Sequence, residues 1–108
     1  MSFLIIELEA LTGRFARLSD LLIQKVLKTI ERLDRDTQGT VRDRILQAEQ
    51  KGIIPSAAIL LDIRDVRNTI THDYDGVSFN QIVLFVFLNT PFLLQGVQTA
   101  MQYSKKFY

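Results

Sequence analysis

A single histidine stands in this 108-residue sequence, His72, and the residues around it are of types that together do chemistry. Arg67 lies five positions before it, Asn68 four positions before it and Tyr74 two positions after it. Imidazole titrates near neutral pH, so it can take or give a proton in a reaction. A guanidinium presents a planar fork of donors that matches phosphate oxygens. Asn68 precedes His72 by one helical turn, the spacing at which its amide can orient the ring. Such a set can cleave RNA without a metal. A base activates the ribose 2′-hydroxyl, and Arg67 stabilises the charge that develops on the phosphate. The product would be a 2′,3′-cyclic phosphate.

The same residues fit a plainer description. Charged side chains on helix surfaces are the norm. Arg67 could pair with Asp62, Asp65 or a neighbour's carboxylate, His72 could face solvent near a helix end, and Tyr74 could pack on the first helix. Composition leaves both descriptions open. Apolar residues make up 47% and charged residues 23%, an ordinary globular balance. The net charge of +1 excludes a broad footprint for duplex nucleic acid, but leaves room for a local anion site of two or three arginines. With no cysteine there are neither disulfides nor thiolate metal sites, and one histidine makes no multi-histidine centre in a single chain. We expect no metal and no cofactor, and a cytoplasmic location. The N-terminal run lacks a basic region and meets Glu7 and Glu9 early, so it does not read as a signal peptide.

The elements that must hold these residues are helices. Leu4, Leu8, Leu11, Phe15, Leu18, Leu22, Val26, Ile30 and Leu33 recur every three or four positions, one stripe on one face. Further apolar residues, among them Ile23 and Leu27, widen that surface, so the helix should touch more than one neighbour. Gly13 could mark a break or a close approach. A polar loop follows, and Thr40 suits an N-cap with Asp43 in the first turn. The second helix carries Val41, Ile45 and Ala48 and should end at Gly52. The third runs from about Pro55 to Thr71. Its core stripe is Ile59, Ile63, Val66 and Ile70, with Leu60, Arg64, Arg67 and Thr71 in a second row beside it. Asp73, Asp75 and Gly76 end it, and Ser78 caps a fourth helix from about Phe79. Pro91 should break or kink that helix. The tail after Tyr103 reads as frayed. The apolar run Ile82 to Leu94 has 13 residues, short of the roughly 20 a membrane span needs. We expect a single all-α domain over residues 1–108, an antiparallel bundle of four to five helices, and no membrane. The fourth helix is apolar on nearly all sides, which predicts a homodimer to cover it.

Helical geometry bears on the site. Five residues turn about 500°, so Arg67 and His72 point about 140° apart and lie about 7.5 Å apart along the axis. One protomer presents them poorly to one phosphate unless the helix unwinds before His72. Two protomers meeting across a two-fold axis would pool two arginines and two histidines.

The run from Arg67 to Tyr74, R-N-T-I-T-H-D-Y, resembles the signature of HEPN domains, an arginine followed four to six residues later by His-x-Tyr. The likeness is to the HepT toxin family in particular. It extends to the segment opening at Gly13, to Lys51-Gly-Ile-Ile-Pro and to the approach from Ile63, most of the chain from about Gly13 to Leu94. The chain departs from the family in having only about 12 residues before Gly13. The first family helix is then shortened, or fused into one long helix across Gly13. The resemblance implies a metal-independent endoribonuclease that acts as a homodimer on an RNA substrate. It implies a two-gene toxin–antitoxin system with an MNT nucleotidyltransferase antitoxin. By position, Arg67 and His72 would be the catalytic pair, with Asn68 and Arg64 supporting. Tyr74 would be the tyrosine that receives AMP, whose charge and bulk would block RNA entry. The other function open to such a chain is a non-catalytic partner of a nucleotidyltransferase that presents Tyr74 or binds a nucleotide.

Overall fold

The computed structural model describes residues 3–36, 39–72 and 79–107, and it is helical almost throughout. Helix α1 spans Phe3–Asp20, a π-helical segment spans Leu21–Val26, and α2 spans Leu27–Leu33. The three are continuous and form one rod. Gly13 lies inside α1 without a break. At about 1.5 Å per residue the rod is about 46 Å long. It accounts for the 49 Å long axis of a molecule only 24 × 19 Å across.

Helix α3 spans Val41–Gln50, and both of its ends follow from sequence. The Asp43 N–H donates to Thr40 Oγ1 at 3.2 Å, and the Thr40 N–H donates to Asp43 Oδ2 at 2.9 Å. Two donors without helical partners are thus satisfied reciprocally. At the other end Gly52 takes φ 77°, a left-handed conformation. The Ile53 N–H then reaches Ala48 O at 2.9 Å and the Gly52 N–H reaches Glu49 O at 3.0 Å, which closes the last carbonyls. This turn drops Ile53 and Ile54 into the core, each 2% exposed.

Helix α4 spans Ala57–His72 and α5 spans Phe79–Ser104. The rod is the central element: α1 packs on α4 and α5, the π segment on α3 and α5, and α2 on α3 and α5. Leu22, Ile23, Leu27 and Ile30 of the rod meet Ile45, Leu60, Ile63, Val86 and Leu93 in one core. The extra neighbours expected of the first helix are present. So is a turned face on α4: Ile59, placed in the core stripe by periodicity, is 39% exposed, while Leu60 of the second row is fully buried. The helix presents its Leu60–Arg64–Arg67 row more toward the rod than the apolar spacing implied.

Helix α5 runs through Pro91 without interruption, so the expected break does not occur. Asn89 Nδ2 donates to Phe85 O at 2.9 Å and Thr90 Oγ1 donates to Val86 O at 2.6 Å, side-chain bonds to carbonyls one turn back, close to where the proline lacks its N–H. Uninterrupted, the stretch Phe79–Phe107 is long and apolar enough to cross a membrane by length and composition, and 22% of its most apolar window is buried. The 13-residue limit drawn from the sequence therefore does not apply. One such helix is also what the core of a bundle supplies. Phe87, Leu88 and Leu84 stand 58–71% exposed on its outer face.

The tail is pinned rather than frayed as far as Phe107. Lys105–Phe107 form a 3-10 turn, and Lys106 Nζ sits 3.9 Å from the Tyr103 ring centroid. Tyr103 donates its hydroxyl to Asp34 Oδ2 at 2.6 Å, and Lys51 Nζ reaches the same oxygen at 2.9 Å. Asp34 thus ties the end of α2 to α3 and α5.

Candidate anion-binding cleft

The start of α4 is fixed, and that sets the register of everything downstream. The Ile59 N–H donates to Ser56 Oγ at 3.2 Å, an N-cap. The Ala57 N–H donates to Glu49 Oε2 at 2.7 Å, a carboxylate on the positive end of the helix. Ala57, Leu60 and Ile63 then lock against the core. Arg64, Arg67 and Asn68 follow at spacings of three and one, and lie along one edge of the helix facing the rod.

Arg67 is half-buried and engaged. Its Nη2 donates to Asp20 Oδ2 at 2.6 Å, and its Nη1 donates to Asn68 Oδ1 at 3.2 Å. The partner carboxylate comes from α1, 47 positions away in the chain, rather than from Asp62 or Asp65. The Asn68 carbonyl oxygen serves the guanidinium next to it. The expected contact of Asn68 with the imidazole cannot be placed, because the side chain of His72 lies outside the described residues. Its backbone closes α4, and the helix stays regular through it. The unwinding that would have brought Arg67 and His72 to the same side within one chain does not occur. Tyr74 lies outside the described residues altogether, as do Asp73, Asp75, Gly76 and Ser78.

Between α4 and the rod opens a cavity of about 500 Å³. Arg17, Asp20, Leu21, Ile23, Gln24 and Lys25 line it on one side and Arg64, Arg67 and Asn68 on the other. Four cations face one carboxylate, on a chain whose net charge is only +1. Outside the cleft Arg44 pairs with Glu31, Lys51 with Asp34 and Asp36, and Lys106 with Asp34. Among the described residues Arg17, Lys25 and Arg64 form no ion pair. The cleft therefore carries uncompensated positive charge against an apolar floor of Leu21 and Ile23, the setting in which an anion is held more strongly than in open water. Among the described residues no group of three histidine, aspartate or glutamate side chains is placed to hold a metal ion.

The π segment forms much of the rod's side of this cavity. A turn with one extra residue leaves a backbone carbonyl over, and here Arg44 Nη1 of α3 donates to Ile23 O at 3.2 Å. Arg44 Nε also holds Glu31 at 3.1 Å, so the guanidinium clamps the π turn to α2. Sequence reading found Arg64, Arg67 and Asn68. It missed the opposite wall. Arg17 and Asp20 left a trace, since both fall off the apolar stripe at a spacing of three. Lys25 left none, because its position depends on the π turn.

Compared with known proteins, the chain matches no family model, no curated protein and no solved structure.

Proposed function

We propose that this chain is a HEPN-type ribonuclease of the HepT-like kind, the toxin of a pair whose antitoxin is an MNT nucleotidyltransferase. The observation that carries the reading is the cleft. Four cations gather there, and Arg67 is held by Asp20 and Asn68 five residues before the chain's one histidine. In this reading the fold is the HEPN-like antiparallel bundle, with α5 bent at Pro91. Arg67 binds the scissile phosphate and stabilises the charge that builds on it. His72 takes the proton of the ribose 2′-hydroxyl as its oxygen attacks phosphorus. The 5′-oxygen leaves with a proton taken from water, and a 2′,3′-cyclic phosphate remains. Arg64 supports the phosphate site from one turn back. No metal or cofactor is needed for these steps.

The regular helix through His72 supports a site shared by two protomers, since within one chain the two side chains start about 140° apart. The exposed apolar face of α5 supports a homodimer. AMP transferred to Tyr74 would bring negative charge two residues from His72 and shut the site to RNA. The system would work in the cytoplasm.

The test is expression of the wild type and of His72→Ala in bacteria, with purified protein then incubated with RNA in EDTA. Wild type is expected to arrest growth and leave cyclic-phosphate ends. Loss of a general base lowers the rate by roughly 10²–10⁴-fold, so His72→Ala should do neither at the same dose. Equal cleavage by the two proteins would overturn the assignment. A mass shift of AMP on Tyr74 without any cleavage would instead mark a non-catalytic partner of the nucleotidyltransferase.

A further inference from the structure

Arg17 and Lys25 lie on the side of the cleft away from Arg67, and neither has an ion-pair partner among the described residues. Both side chains are exposed, so neither charge is consumed by the core. In an unbroken α-helix Lys25 would stand about 80° round the axis from Arg17. The π segment Leu21–Val26 takes up one extra residue and reduces that offset to about 20°. The two cations thus come to one face, about 10.5 Å apart along the rod. A stacked single strand advances about 3.4 Å per phosphate, so this distance covers about three nucleotides. Arg44 holds the π turn in place through the Ile23 carbonyl and Glu31. The departure from α-geometry is therefore built in from a third helix, and its effect on the surface is to align these two charges.

We propose that Arg17 and Lys25 form a second anion subsite of the cleft, separate from Arg67, which binds the phosphates flanking the one at Arg67. The preferred ligand is then a single strand of several nucleotides and not a mononucleotide. Asp20 sits on the same wall and occupies Arg67. A lone mononucleotide must compete with that carboxylate for Arg67, whereas a strand anchored at Arg17 and Lys25 is already held beside it. The proposal rests on the reading of the cleft as an RNA site and names how that RNA is gripped.

The experiment measures binding without cleavage. A fluorescent 2′-O-methyl oligonucleotide of eight residues, which has no attacking hydroxyl, is titrated by anisotropy against wild type and Arg17→Ala/Lys25→Ala. The titration runs from about 50 to 200 mM salt, with AMP as the mononucleotide competitor. Each phosphate contact contributes about 0.7 to the slope of log K against log salt, so the double variant should lose about 1.4 from that slope. Its affinity for the oligonucleotide should fall at least tenfold at low salt, with AMP competition changed less than twofold. Arg17→Lys/Lys25→Arg, which keeps both charges, should retain the slope. An unchanged slope in the alanine variant overturns the subsite, as does an equal loss for AMP and the oligonucleotide. Oligonucleotide binding with the expected slopes, in a protein that cleaves nothing, would refute the nuclease reading and leave the subsite standing. Absence of oligonucleotide binding by the wild type overturns both.

Discussion

At the scale of single residues, Arg67 is the most informative side chain. Its guanidinium is oriented before any ligand arrives, by a carboxylate on one amino group and an amide oxygen on the other. The ion pair is partly open to water, with side chains 28% and 42% exposed, so its contribution to stability should be small. Asp20→Asn is expected to change the unfolding free energy by less than about 1 kcal/mol. Its effect on the cleft should be larger: oligonucleotide binding tightens at low salt as a negative charge is removed and, if the cleft is the nuclease site proposed above, kcat for cleavage falls because Arg67 loses its fixed orientation. Chemical denaturation and single-turnover cleavage measured on the same sample check the two arms.

Asp34 is informative in a different way. Burial pushes its carboxyl up, but the Tyr103 hydroxyl and the ammonium groups of Lys51 and Lys106 outweigh that, and it titrates below its ordinary 3.8. A carboxylate held low stabilises the fold above pH 3.8 and loses that contribution as pH falls further. Lys51 is its mirror. Burial pushes it down, the bonds to Asp34 and Asp36 push it up by more, and it titrates above 10.5. Its contribution is complete below pH 10.5 and lost as pH rises beyond. Tyr103→Phe should therefore cost about 1–2 kcal/mol near neutral pH, with the deficit shrinking in acid as Asp34 protonates. Thermal melts of both proteins from neutral pH into the acid range measure it.

At the scale of elements, the local signals in α3 settled its ends because each is a one-residue device. Thr40 with Asp43 starts the helix, and Gly52 stops it. Thr40→Ala should cost about 1 kcal/mol and lower Tm by roughly 4 °C, read by circular dichroism. The rod and α5 behaved otherwise. Three- and four-residue spacing identified the rod as helical but held no trace of the π turn, which is secured by Arg44 from another helix. Pro91 is a strong breaker on local grounds, yet α5 continues, with Val86 and Leu93 on either side of it fully buried. Packing against the rod outweighs one missing hydrogen bond. On α4, spacing placed Ile59 in the core stripe and Leu60 in the row beside it, yet Ile59 is 39% exposed and Leu60 fully buried. Contact with the rod chose Leu60 and thereby carried Arg67 to the cleft's edge.

At the scale of the whole molecule, the outer face of α5 dominates. Phe87 is 71% exposed, Leu88 64% and Leu84 58%, a contiguous apolar surface of the kind that mediates association. If a second copy covers this face, Phe87→Glu should convert a dimer to a monomer in light scattering and, if the nuclease site is shared between protomers, abolish cleavage while circular dichroism is unchanged. A monomeric wild type would exclude the shared site.

The sequence by itself determined that the chain is helical and where α3 begins and ends. Each of these rests on neighbours three to five residues apart. Only the tertiary structure decided which face of α4 is inward, that Asp20 is the partner of Arg67, and that Arg17 and Lys25 complete a cationic cleft. Those outcomes depend on contacts between residues about 40 or more positions apart and on a π turn stabilised from a neighbouring helix. Periodicity within one helix carries no information about either.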